Sequence, residues 1–210
     1  MIPIESLVTF VLASALLGLA PGPDNIFVLT QSALHGRKAG IIVTLGLCSG
    51  LIVHTTAVAL GVAVLFQTSI VAFTLLKIVG ALYLLYLAWH ALRASSTQLQ
   101  SGKSSPLFAM ALYRRGIIMN VTNPKVSIFF LAFLPQFAVP ANGSMAQQIF
   151  LLGALFILVT LLVFGGIAMM AGSLGSWLGH SPKAQIILNR IAGTVFAGLA
   201  LKLVSVTHDP

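Results

Sequence analysis

Two charged residues lie inside apolar stretches of this chain, and each directly follows a proline. Asp24 belongs to the run Pro21-Gly22-Pro23-Asp24-Asn25, and Lys125 ends the run Asn123-Pro124-Lys125. A proline removes one backbone donor and clashes with the preceding turn, so each run predicts a break in a helix. At such a break, a carboxylate can bind a cationic group or a proton, and an ammonium group can bind an anionic one.

The composition indicates that these breaks lie in a membrane. Of the 210 residues, 58% are hydrophobic and 7% are charged, whereas a soluble domain carries roughly 25% charged residues. In lipid, a charge or an irregular backbone is tolerated only where it is buried in protein or lines a wet cavity. We therefore expect Asp24 and Lys125 to line such a cavity. The net charge of +8 comes from scattered residues, which indicates membrane orientation and not nucleic-acid binding.

Six apolar segments are each long enough to cross a bilayer core of about 30 Å. They are residues 7–34, 40–66, 71–92, 116–137, 148–170 and 187–206. A polar linker, residues 95–114, separates a first unit of residues 1–94 from a second unit of residues 115–210, and a Gly-rich connection follows the fifth span. The sequence therefore predicts an all-α membrane protein with six transmembrane helices, in which spans 1 and 4 are broken at proline.

The positions of the two breaks indicate that the halves are repeats. Each broken span is the first of its half, and a repeat of three spans must be inverted because its second copy starts on the opposite side. Around the resulting pseudo-two-fold axis, Asp24 and Lys125 would meet at one cavity near the midplane. Two interpretations are then open. The charges bind a ligand, or they form a buried structural ion pair that fixes the broken helices.

The basic residues predict the orientation. Eight of the eleven lie near the loops after spans 1, 3 and 5, namely Arg37, Lys38, Arg93, Lys103, Arg114, Arg115, Lys183 and Arg190. Since basic loops stay in the cytoplasm, both termini are predicted to lie outside. The first residues lack a basic region, so no cleaved signal peptide is expected. The single cysteine, Cys48, argues against an intrachain disulfide and a cysteine-based metal site.

Several motifs occur together with the two breaks. They are the segment Ala33-Leu34-His35-Gly36-Arg37-Lys38-Ala39-Gly40, Gly46 and Gly50 in span 2, and the segment Gly80-Ala81-Leu82-Tyr83-Leu84 in span 3. With the two proline runs, this pattern resembles the LysE/RhtB family of amino-acid exporters over nearly the whole chain. The resemblance implies a secondary transporter of the bacterial inner membrane that exports an amino acid or close derivative by proton antiport, without a cofactor. It is nearest to the RhtB-type branch, which implies a threonine-like, homoserine-like or other neutral substrate.

An amino-acid substrate would give the charged residues definite roles. Asp24 would bind the substrate ammonium group, or a proton in its absence, and Lys125 would bind the carboxylate. The residues Pro21, Gly22, Pro23 and Pro124 would shape unwound segments whose backbone groups face the substrate.

Polar residues near the breaks have two possible roles each. Asn25, Asn120 and Asn123 could hydrogen-bond a zwitterion or satisfy backbone groups that the breaks set free. Gln31 lies about two turns beyond the first break and could line the cytoplasmic mouth. His54 could relay protons, or it could be a packing residue with one hydrogen bond.

Other functions fit the sequence less well. A metal-ion exporter would need several intramembrane ligands, and one Asp with one His is too few. A membrane enzyme would need a paired nucleophile and base, and the chain has no HExxH motif or phosphate-binding glycine loop. The segment from Gly46 to Gly50 is a small-residue pattern for close helix contact, within one subunit or in a homodimer.

Overall fold

The computed structural model describes residues 2–68, 70–95 and 108–205. Within these ranges the chain is helical and contains no β-strand. The α-helices are α1 (Ile4–Leu19), α2 (Pro23–His35), α3 (Arg37–Thr68), α4 (Ile70–Arg93), α5 (Ala109–Val121), α6 (Pro124–Ile128), α7 (Met145–His180) and α8 (Pro182–Ser205). A π-helix (Phe129–Phe133) and two 3₁₀ turns (Leu134–Phe137 and Pro140–Asn142) connect α6 to α7.

The helices of the described chain provide up to six membrane spans. Four segments are long and apolar enough to cross a membrane alone: Arg37–Gly61, Thr74–Arg93, Met145–Ala171 and Lys183–Ser205. Two further spans are bent pairs, with 61° between α1 and α2 and 50° between α5 and the segment Pro124–Phe137. The structure thus confirms an all-α, multi-pass membrane protein whose first and fourth spans are broken.

Both breaks occur at the predicted prolines. Helix α1 ends at Leu19, Gly22 is extended with φ −169° and ψ 175°, and α2 begins at Pro23. Helix α6 begins at Pro124. A proline fits the first position of a helix because its missing N–H would have no intrahelical partner there. Each proline therefore ends one half-helix and starts the next.

Small residues bring α3 and α5 into close contact. A Cβ atom on Gly46 would lie 2.2 Å from the backbone oxygen of Tyr113 and 3.0 Å from the Cα of Gly116. A Cβ atom on Gly50 would lie 2.7 Å from Asn120. These contacts confirm that the small-residue pattern in span 2 packs within one subunit, and they fix the position of Asn120.

Helix α3 also packs against α7, and α4 packs against α8. The first turn of α1 and the last turn of α8 lie at the same end of the bundle, since Glu5 and Lys202 line one cavity there. We call this end the terminal side. The opposite end, which carries Gly36 between α2 and α3 and Arg93 at the end of α4, we call the basic side.

Two helix ends differ from the sequence prediction. Helix α7 continues to His180 through residues that were expected to form a Gly-rich connection, so that expectation was wrong. No proline interrupts the chain between Met145 and Pro182, and each glycine costs a helix only about 1 kcal/mol relative to alanine. Helix α5 begins at Ala109, inside the range assigned to the linker, because residues 109–114 are mostly good helix formers.

Candidate functional site

Asp24 is the second residue of α2 and only 3% exposed. Its Oδ2 atom accepts a hydrogen bond of 2.9 Å from Nδ2 of Asn123. Its Oδ1 atom is buried and has no hydrogen-bond partner among the residues that the structure describes. The free N–H groups and the dipole at the start of α2 favour a negative charge at this position. Asp24 thus has one oxygen held by the protein and one available to a ligand or a proton.

Lys125 binds the end of the other half-span. Its Nζ atom donates to the backbone oxygens of Leu17 at 3.4 Å and Ala20 at 3.2 Å. The last carbonyls of a helix lack intrahelical partners and carry a partial negative charge, so an ammonium group there is favourable. A Cβ atom on Gly22 would lie 3.0 Å from this Nζ. Glycine at this position therefore leaves the space that the ammonium group occupies.

Asn123 connects the two breaks. Its Oδ1 atom accepts from the backbone N–H of Lys125 at 3.0 Å, which caps the N-terminus of α6. Its Nδ2 atom donates to Asp24. The structure has no direct ion pair between Asp24 and Lys125, because the carboxylate binds Asn123 and the ammonium group binds α1 carbonyls. Their charges still attract each other across the site.

Asn25 completes the cap of α1. Its Nδ2 atom donates to the backbone oxygen of Gly18 at 2.6 Å. Together with Lys125, it satisfies three carbonyls at the end of α1, those of Leu17, Gly18 and Ala20. Asn25 thus binds one of the backbone carbonyls that the break sets free, and its predicted role toward a substrate stays a prediction. Its Oδ1 atom is buried without a partner.

A small cavity lies between the breaks, and we call it the central cavity. Its polar lining residues are Asp24, Asn120, Lys125 and Thr160, and its remaining walls are mostly aliphatic and aromatic side chains. The Oδ1 atom of Asn120 is buried without a partner. The cavity measures about 20 Å³, which is room for about one water molecule. It therefore gathers opposite charges and unpaired acceptors, but in this conformation it is too small for an amino acid.

Eight of the eleven predicted site residues lie outside the lining of the central cavity, and His54 and Gln31 are two of them. The Nε2 atom of His54 lies 3.2 Å from the backbone oxygen of Asn120, and its ring is tilted against that of Phe130 with centroids 5.6 Å apart. His54 thus contacts the residue that lines the cavity without lining it itself. Gln31 is buried further along α2, with an unpartnered Oε1 atom.

A larger cavity of about 340 Å³ reaches the breaks from the basic side. We call it the basic-side cavity. Its lining combines the break residues Pro21, Gly22, Pro23, Asn123, Pro124 and Lys125 with residues of α4 and α8 that include Tyr83, His90 and Asn189. Lys125 lines both this cavity and the central one. Its side chain therefore stands between them.

Aromatic rings packed edge to face or tilted against one another close the path toward the terminal side. This aromatic cluster consists of the buried residues Phe10, Phe129, Phe130, Phe133, Phe137 and Phe156. The rings of Phe130 and Phe156 are 5.0 Å apart, and those of Phe133 and Phe137 are also 5.0 Å apart. Phe156 lines the central cavity and Phe137 lines a cavity at the terminal side. The cluster thus fills the space between these two cavities.

Sequence reasoning missed Thr160 and the walls of the basic-side cavity. Thr160 lies in the middle of the fifth span, where one hydroxyl group is a much weaker signal than a charge or an amide. His90 and Asn189 carry no such signal, because each lies toward the end of a span, where polar residues are common. Tyr83 lies in the middle of its span and was noted only as part of the motif in span 3.

Comparison with known proteins agrees with this arrangement. The family model for the LysE type translocator matches residues 15–207. The chain belongs to this family. It is 34% identical to a homoserine/homoserine lactone efflux protein of Salmonella typhimurium over 95% of this chain and 96% of that protein.

Two other relatives of the LysE type translocator family match over similar lengths. An uncharacterized membrane protein of Bacillus subtilis is 29% identical over 94% of this chain and 98% of its own. A leucine efflux protein of Salmonella choleraesuis is 27% identical over 93% of this chain and 92% of its own. No solved structure matches. The resemblance inferred from the proline runs and glycine positions is thus confirmed.

Proposed function

We propose that this translocator exports a neutral amino acid or a close derivative across a bacterial inner membrane, by exchange with protons. The observation that carries the proposal is the placement of Asp24 and Lys125, two buried opposite charges, at one cavity between two helix breaks. Relatives of similar length are named as efflux proteins for homoserine, homoserine lactone and leucine. These are small molecules with an amino group, and the first and last are zwitterions.

The free atoms of the site match a zwitterion. Asp24 Oδ1, which has no partner, would accept from the substrate ammonium group. Lys125 would leave the carbonyls of Leu17 and Ala20 and bind the substrate carboxylate. Asp24 is the one carboxylate among the cavity's lining residues. A substrate with a second positive charge would lack a second counter-ion there, which favours a neutral amino acid.

Proton exchange follows from the same carboxylate. Once the substrate leaves, Asp24 loses the cation that balanced its unpaired oxygen, and a proton can take that place. Burial penalises the charged form of a carboxylate, so loss of the substrate ammonium group favours uptake of a proton even with Lys125 nearby. The proton would then leave when the next ammonium group arrives. His54, one contact away through Asn120, is the alternative carrier.

Alternating access would use two barriers described above, which are the Lys125 side chain and the aromatic cluster. Substrate would enter from the basic-side cavity past Lys125, which lines both inner cavities. It would leave when the aromatic cluster opens toward the terminal side. With the basic residues in the cytoplasm, this direction is outward and both termini lie outside.

The test is efflux from proteoliposomes loaded with single radiolabelled amino acids, with and without an imposed proton gradient. We expect efflux of at least one neutral amino acid, faster with the gradient and slowed by a protonophore. Lysine and glutamate serve as charged comparisons and should move more slowly. Protein-dependent efflux of none of the amino acids would overturn the proposal, and efflux insensitive to the gradient would remove its proton part.

A further inference from the structure

A third cavity opens at the terminal side, and we call it the terminal-side cavity. Its volume is about 260 Å³, just below the range of about 300–1,000 Å³ that is typical for drug-sized ligands. Polar residues of α1 and of the segment after the π-helix line it, among them Thr9 and Gln136. The cavity is thus large enough for a small polar molecule in the present conformation, unlike the central cavity.

Two residues of opposite charge line this cavity without forming an ion pair with each other. Glu5 lies in the first turn of α1, and Lys202 lies in the last turn of α8. Among the described residues neither charge forms an ion pair, although both line the same cavity. The Nζ atom of Lys202 lies 4.8 Å from the ring centroid of Phe137. Contact with the aromatic face holds the ammonium group at the cavity wall while leaving its N–H groups free for an anion.

The floor of the terminal-side cavity belongs to the aromatic cluster. Phe133 and Phe137 line it from below, and Phe137 packs on Phe10 with ring centroids 5.2 Å apart. Phe10 reaches Phe156, which lines the central cavity, at 6.4 Å. A molecule that passes the cluster from the central cavity therefore arrives between Glu5 and Lys202.

We infer that the terminal-side cavity is a second binding site for the transported zwitterion, occupied on its way out. Glu5 binds the ammonium group and Lys202 binds the carboxylate, so the site repeats the charge pairing of the central cavity. Both side chains are partly exposed to solvent, and water weakens such contacts. Binding there is accordingly weaker than at a buried site, which favours release. This inference rests on the proposed function.

The test compares the two faces of the membrane. Cells loaded with labelled substrate are exposed to increasing concentrations of unlabelled substrate, and the release of label by exchange is measured. Inverted vesicles from the same cells give the same measurement for the other face of the membrane. We expect Glu5→Gln and Lys202→Gln each to raise the half-saturating concentration roughly fivefold on the face that exposes the terminal side, the upper end for one lost solvent-exposed charge pair. The half-saturating concentration on the other face should not change. Glu5→Asp and Lys202→Arg should stay within about threefold of wild type, because they keep the charge.

Lys77→Gln is the matched control. It removes a positive charge from α4 without touching the lining of the terminal-side cavity, and it should leave both half-saturating concentrations unchanged. Equal shifts on both faces, or no shift in either Gln variant, would overturn the inference while leaving amino-acid export intact. If the wild-type protein exchanged no amino acid at all, the proposed function would fail, and the second site with it.

Discussion

Nδ2 of Asn123 donates a 2.9 Å hydrogen bond to Oδ2 of Asp24, a residue 99 positions away in the chain. The same side chain caps α6 through its Oδ1 atom. One amide therefore holds the start of α6 and the carboxylate at the start of α2 in a fixed relation. The two broken spans cannot move apart at this level without breaking that bond.

Replacement of Asn123 should separate its two tasks. Asn123→Ala loses a cap worth about 0.5–2 kcal/mol and leaves a buried carboxylate oxygen unpaired, which costs about 1–3 kcal/mol. Asn123→Ser restores the cap but is too short to reach Asp24. We expect the melting temperature in detergent to fall most for Ala, while export falls in both variants. Full export in the Ser variant would show that the bond to Asp24 has no role in transport.

Replacement of Asp24 should uncouple transport from protons. Asp24→Asn keeps the shape of the side chain and a donor or acceptor for Asn123, so the protein should still insert and remain stable. It cannot bind a proton in exchange for an ammonium group. We expect no proton-driven efflux of the substrate from proteoliposomes. Full gradient-driven efflux in this variant would move the proton role to His54, and His54→Gln is the variant to measure next.

Replacement of Lys125 should destabilise α1, and a second change at Asp24 should not rescue it. Lys125→Met leaves the carbonyls of Leu17 and Ala20 without their donor, at about 1–3 kcal/mol for each buried unpaired group. Neutralising the carboxylate in the double variant Asp24→Asn, Lys125→Met does not restore those bonds. We expect both variants to melt at similar, lowered temperatures. Recovery of wild-type stability in the double variant would instead indicate that the two charges stabilise each other directly.

A methyl group at Gly22 should displace the ammonium group of Lys125. The added Cβ atom would lie 3.0 Å from Nζ, closer than most real contacts, and Lys125 would have to shift. We expect Gly22→Ala to reduce export at least tenfold with normal expression, since misplacing a binding group by a fraction of an ångström is costly. Gly166→Ala is the control, because nothing lies within 4 Å of its added Cβ atom. Equal export by the two variants would contradict the proposed role of Lys125.

The orientation of the chain can be read from fused reporters. A reporter placed at the C-terminus should be active outside the cytoplasm, and one inserted in residues 98–105 should be active inside it, because basic loops are retained. Alkaline phosphatase and green fluorescent protein fusions report these two locations. A cytoplasmic C-terminus would reverse the proposed direction of transport through the three cavities.

The breaks and their charged residues were predictable from sequence because their causes are local. Proline disrupts a helix anywhere beyond its first turn, and a charge in an apolar span is visible without knowing its neighbours. The gathering of Asp24, Asn120, Asn123 and Lys125 at one place also followed, from the equivalent positions of the two breaks. Thr160 did not, because a single hydroxyl in an apolar helix gives no sign of which way it faces.

The partners of Lys125 could not be predicted for a different reason. Whether its ammonium group meets a carboxylate or helix carbonyls depends on the bend between α1 and α2, which is 61°, and on the space left by Gly22. Neither the bend nor the size of this space can be predicted from a local sequence pattern. The course of α7 through its glycines likewise depends on packing that outweighs a small propensity cost.

The hydrogen bonds of Lys125 have one more consequence. The group proposed to hold the substrate carboxylate is bound in this conformation to the end of α1. A substrate must replace two hydrogen bonds, each worth about 1 kcal/mol, before it gains anything from that contact. The backbone carbonyls at the end of α1 therefore compete with the substrate carboxylate for Lys125, which lowers the affinity for substrate. We therefore expect the proposed export to reach half its maximal rate only at a high substrate concentration.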